Sequence, residues 1–305
     1  MQFLQAASRG DEPATLAVWL PRGVAVLAAA LGGLGVVMWI AAHWDSMGRL
    51  GHFALLQGLV LATGAGAALI PRARAPLGLL ALLGIGGLFA YFGQTYQTGA
   101  DPWQLFALWA ALALPLCLGA RSDVLWAPWA LVVMTAISLW VHTYSGHRWS
   151  VQPGQLQVHL LAWTATLTLV GALSSHWQRY TGAGVWGFRS AVTLAVVAVT
   201  MTAMGGLFFG TVKAQYPLGV VLLALAAGLL STPRLFEVFA LSAVALGLNA
   251  LLVGGLVRWL GEGSWNGDWL GRLLLIGLFA AGLLAASVSA ILRLSRRALA
   301  QGAPA

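Results

Sequence analysis

Residues 76–97 read PLGLLALLGIGGLFAYFGQTYQ, and no charged side chain occurs between Arg74 and Asp101. Crossing the ~30 Å hydrocarbon layer of a bilayer takes about 20 apolar residues in helical conformation. This stretch is long enough, and it lacks the period-two alternation of a lipid-facing barrel strand. Unpaired backbone amides are very costly in lipid, so the run is expected to be a transmembrane helix. Runs of the same kind recur on either side, at 23–43, 50–70, 102–119, 124–144, 155–175, 188–210, 217–231, 235–260 and 269–292. The sequence therefore predicts an all-α, polytopic transmembrane bundle of about ten spans. The run at 217–231 is short, and is expected to tilt into a thinner region or to stop short of a full crossing.

The composition of the whole chain agrees. Of 305 residues, 60% are hydrophobic and 8% charged, against about 25% charged in ordinary soluble domains. Mean hydropathy is +0.84. These figures exclude a soluble particle, a disordered chain and a coiled coil, and the single cysteine, Cys117, excludes a disulfide scaffold. The net charge of +8 does not imply nucleic acid, because Lys213 is the one lysine among sixteen cations and no dense basic patch occurs. The cations read instead as topology signals. Eleven of the sixteen fall in the termini and even-numbered loops, so the positive-inside rule predicts both termini in the cytoplasm. Trp39, Trp44, Trp103, Trp140, Trp149, Trp259, Trp265 and Trp269 would then mark the outer interface, and Trp19, Trp126, Trp177 and Trp186 the inner one.

The first twenty residues do not read as a signal peptide, since Asp11 and Glu12 stand where basic residues belong. The expected organisation is a tail or interfacial helix over 1–22, spans one to five over 23–145, spans six to ten over 146–293, and a basic tail over 294–305. Glycine clusters inside the spans, where small residues let helix backbones approach closely. Gly206 and Gly210 fit one such packing face. A weak internal echo relates Gly86-Gly87-Leu88-Phe89 to Gly205-Gly206-Leu207-Phe208, and chance similarity of glycine-rich helices accounts for it.

The unusual polar chemistry lies in the odd-numbered loops. Tyr91, Gln94, Tyr96 and Gln97 occupy the last two turns of span three, where amide and phenol groups need partners. His43, Trp44 and Asp45 follow span one, and His142, Tyr144 and His147 follow span five. The stretch FGQTYQTGADPWQLF (92–106), with Trp109-Ala110 after it and Trp44-Asp45 upstream, resembles a bacterial family of predicted membrane proteins catalogued as domain of unknown function 2157. The likeness covers roughly 23–144. It implies a polytopic inner-membrane protein and carries no activity with it.

A binding site is expected from Trp44, Asp45, Tyr91, Gln94, Tyr96, Gln97, Asp101 and Trp103, as an outward polar pocket for a small molecule or lipid head group. The bland alternative is a water-filled vestibule closed by mutual hydrogen bonds. Asp101-Pro102-Trp103-Gln104 has the form of a capped helix start, with Gln104 reaching back as in a capping box. Gln57 and Asn249, lone amides within spans, are expected to hydrogen-bond between helices. Arg234 and Glu237, three apart, read as a helix-surface ion pair, and Cys117 as packing. The histidines lack ligand spacing, so neither a metal nor another cofactor is expected. No hydrolytic elbow or phosphate loop occurs, and a membrane enzyme is the third reading, resting on Asp45 with Asp101 as the one acid pair suited to proton transfer. Two functions stand ahead of it: ligand binding or transport at that pocket, and a scaffold docking another envelope protein through Trp- and Tyr-rich outer loops.

Overall fold

The computed structural model describes residues 14–43, 48–96, 99, 101–146, 151–233, 235–262 and 269–300. Ten long helices correspond one to one with the ten apolar runs. They are α1 (Ala14–Ala42), α2 (Arg49–Leu69), α3 (Arg74–Tyr96), α4 (Pro102–Ala120), α5 (Asp123–Ser145), α6 (Leu156–Ala172), α7 (Val185–Phe208), α8 (Gln215–Leu230), α9 (Val238–Glu262) and α10 (Trp269–Ala300). No strand occurs among the described residues. Eight of the helices are long and apolar enough to cross a membrane. The other two are α8, with 16 residues, and α6, with 17, each about 25 Å long at ~1.5 Å per residue. The chain is an integral, multi-pass membrane protein, and its environment is a lipid bilayer.

Several boundaries differ from expectation. The helix through Trp19 does not break at Pro21; it runs unbroken from Ala14 to Ala42. A proline is tolerated within a span where neighbouring groups take up the freed carbonyl. At the other end α10 reaches Ala300, so the basic residues from 294 onward continue the helix. Helix α7 stops at Phe208, which leaves Gly210 beyond its end at φ 81° and off the packing face assigned to it. Gly206 does pack closely, against the backbone of Gln215 and Tyr216.

The helices form two rows. Helices α1, α3, α5, α7 and α9 make one row, each packed on the next. Helix α4 fills the angle between α3 and α5, α6 that between α5 and α7, and α8 that between α7 and α9. Helices α2 and α10 lie against α3 and α9. Lipid supplies no hydrophobic drive for this packing, so interlocking shape and polar contacts must hold it. Three indoles do so by donating to carbonyls: Trp109 Nε1 to Leu82 at 2.9 Å, Trp129 Nε1 to Ala110 at 2.8 Å and Trp126 Nε1 to Thr181 at 3.1 Å. The first needs Gly86, because a β-carbon there would run into the Trp109 ring. Trp126 is thus buried in the core rather than exposed as an interfacial anchor would be, whereas Trp19, Trp177 and Trp186 are exposed.

Candidate functional site

The two ends of the bundle are built differently. At the odd-loop end, His52 sits one turn into α2 and Tyr91 near the end of α3. Both are buried, and Tyr91 Oη lies 3.2 Å from His52 Nδ1. The Phe53 ring meets Tyr91 edge-on at 4.7 Å between centroids, and Tyr96 contacts Phe53 and Phe92. The start of α2 and the end of α3 are therefore adjacent, and loops one and three share this end. Of the residues expected to form a site, Trp44, Asp45 and Gln97 lie outside the described residues, as do His147 and Arg234. Gln94 and Tyr96 are exposed, Asp101 and Trp103 half-buried, and only Tyr91 is buried. Gln94 is thus not held in a buried cluster, although it lies one turn beyond the buried Tyr91 on α3. Replacing Tyr91 by Phe should cost about 1 kcal/mol in detergent unfolding. No loss would show that His52 does not depend on the phenol.

The helix start at Asp101 is formed only in part. Its backbone has the extended N-cap conformation and its carbonyl accepts from Gln104 N at 3.0 Å, but no side-chain cap bond forms. The expected capping box is absent there. Asn249 found the partner expected of it, exchanging hydrogen bonds with Ser287 of α10 at 3.0 and 3.2 Å, whereas Gln57 is exposed. Cys117 is fully buried among apolar side chains. His159 is also buried, its Nδ1 2.8 Å from the Gln155 carbonyl. Among the described residues no three His, Cys, Asp or Glu side chains gather in a group that could hold a metal.

The even-loop end carries features that the sequence did not reveal. Arg121 ends α4 in the left-handed conformation, at φ 49°, and donates through Nη2 to the Arg179 carbonyl at 2.6 Å. Asp123, in the first turn of α5, accepts from three backbone amides at the start of α7. The distances are 2.7 Å from Gly184, 2.9 Å from Trp186 and 3.1 Å from Gly187. A carboxylate there satisfies donors that a helix start leaves open and complements the helix dipole. Glycine at 184 lets the carboxylate come close, since a β-carbon would meet Asp123 Oδ2. The visible signal is Ser122-Asp123 ahead of an apolar run. What it cannot reveal is that the carboxylate caps a helix some sixty residues away.

Glu237 provides the second feature. It pairs with Arg189 of α7, with Nη2 at 2.7 Å and Nε at 3.0 Å from the same Oε1. Glu237 Oε2 also accepts from Ala240 N, and the local pair expected with Arg234 lies outside the described residues. Beside this pair opens a cleft of about 520 Å³. Its floor is α7, its sides are α6 and α8, and α9 closes the back. Along α7 it runs from Val185 to Val199, about 21 Å at ~1.5 Å per residue. Its walls are Leu, Val, Ala and Phe, while Ser174, Ser175, Gln178 and Glu237 stand at the even-loop end. One turn before Leu167 on α6, the buried Trp163 belongs to the same apolar cluster as Val199 and Leu223, which line the cleft at the end away from Glu237.

Fold and cleft together define a polytopic helical membrane protein with an internal apolar recess. Residues 2–126 match the family model described as predicted membrane protein (DUF2157), in accord with the resemblance carried by the 92–106 stretch. The match starts ahead of 23 and stops in α5, so the cleft lies outside it. No curated protein and no solved structure matches the chain.

Proposed function

We propose that this protein binds an amphiphile, foremost a membrane lipid, with its chain in the α6–α8 cleft. The observation that carries the reading is the shape of the recess: apolar along ~21 Å and polar at one end alone. Its volume lies within the ~300–1,000 Å³ usual for small-ligand sites. Half of a ~30 Å hydrocarbon layer plus the interfacial zone matches its length, so it suits a chain from one leaflet. By the positive-inside rule, that leaflet would be the cytoplasmic one of a bacterial inner membrane, with both termini in the cytoplasm.

The test is lipid retention. Purified in mild detergent, the protein should keep one lipid visible by native mass spectrometry. Ala226→Trp, which places an indole in the cleft from α8, should lower occupancy at least about tenfold while the helices remain folded. Undiminished retention in that variant would remove the cleft from consideration.

A second reading, docking of another envelope protein on the odd-loop end, draws support from the exposed Trp39, Tyr144, Trp259 and Trp269. A polar ligand pocket at loops one and three draws support from the buried His52–Tyr91 pair. Crosslinked copurification of one stoichiometric partner would favour docking. Loss of ligand uptake on Gln94→Ala would favour the pocket.

A further inference from the structure

We infer that the lipid held in the cleft carries a zwitterionic head group, whose ammonium is taken by Glu237 and whose phosphate is taken by Arg189. This rests on the reading of the cleft as a lipid seat. Among the described residues lining the cleft, Glu237 alone is charged, and it stands at the polar end. A head group bearing only negative charge would have to sit against that carboxylate. A head group with a phosphate and an ammonium finds an opposite charge for each.

Both side chains are held ready. Glu237 is fixed from its own helix by Ala240 N, so its position does not depend on Arg189. The Arg189 guanidinium lies between two rings, with Cζ 5.6 Å from the Trp186 centroid and 5.2 Å from that of Phe239. Such stacking orients a guanidinium and leaves its edge free for hydrogen bonds. Its side chain is 30% exposed and that of Glu237 25%; Glu237 lines the cleft and Arg189, outside the lining, is bonded to it. Arginine has five N–H donors; Nε and Nη2 point to Glu237, and the remaining edge can meet phosphate oxygens. A carboxylate offers about four acceptor directions, of which Arg189 and Ala240 take three. One is left for an ammonium N–H.

The other charges nearby are committed elsewhere. Asp123 is engaged by the three amides of α7 and does not line the cleft. Arg121 donates to the Arg179 and Tyr180 carbonyls, and Arg179 lies over its own neighbour Tyr180. Ser175 and Gln178, both exposed, add neutral hydrogen-bonding groups around the mouth.

The experiment compares phosphatidylethanolamine with phosphatidylglycerol of identical chains, offered in equal amounts to the delipidated full-length protein. Retained lipid is counted by native mass spectrometry. The expected result is about tenfold preference for phosphatidylethanolamine, the ratio that one additional charge-assisted hydrogen bond would give. Glu237→Gln, which keeps the shape and removes the charge, should abolish that preference. Equal retention, or preference for phosphatidylglycerol, by the unaltered protein would overturn the head-group assignment and leave the cleft as a lipid seat. Retention of neither lipid would overturn both. The comparison on the unaltered chain decides the matter even if the Gln variant fails to fold.

Discussion

Asp123→Ala should destabilise the protein by about 3 kcal/mol, one of the two largest effects expected of a single substitution here. Three amides at the start of α7 lose their acceptor together, and the side chain that replaces it can accept nothing. Hydrogen bonds to a charged group contribute about 1.5–3 kcal/mol each, and water reaching this half-buried site would recover part of the sum. Asp123→Asn keeps one acceptor oxygen and should lose about half as much. Equilibrium unfolding of both variants in mixed micelles measures the difference. An Ala variant within ~0.5 kcal/mol of the parent would mean that α7 starts without help from α5. Because Gly184 belongs both to this cap and to the cleft wall, lipid retention should fall alongside stability.

The other large effect is expected at Gly86→Val. The added side chain enters the space of the Trp109 ring, which is pinned by its bond to the Leu82 carbonyl. Overpacking in a rigid core costs about 1–3 kcal/mol, and the broken indole bond adds about 1 more. Trimming the partner in Gly86→Val/Trp109→Leu should recover part of the loss, so the two changes will couple in a double-mutant cycle. Strict additivity would show that the ring moves aside freely and that the α3–α4 contact is loose.

How far the sequence could go is clear from where it succeeded. Hydropathy alone located every long helix, and it marked α8 as short, because bilayer thickness constrains composition directly. Asn249 was legible too, since a lone amide in a span gains from a partner and Ser287 supplied it, whereas the same reading failed at the exposed Gln57. Contacts that depend on which helices are neighbours were not legible. Glu237 has Arg234 three residues away, yet it reaches Arg189 on another helix. His52 sits in an ordinary apolar run, and nothing local says that Tyr91 faces it. Gln94 and Tyr91 differ by only three positions, but one is exposed and the other buried, so shared polarity did not make a shared site. The cleft itself arises because α6 and α8 both rest on α7 without filling the space between them, a fact of packing that no single segment encodes.

The two-row order also bears on how the molecule is made. Each long helix packs extensively only on the next one or two in chain order. A nascent chain leaving the ribosome can therefore lay each segment from α3 onward onto one or two already inserted, and α1 and α2 wait only for α3. Contacts between near neighbours in sequence form quickly. Growth from the N-terminus would build the protein like a wall laid course by course, with α10 as the last and least embedded piece.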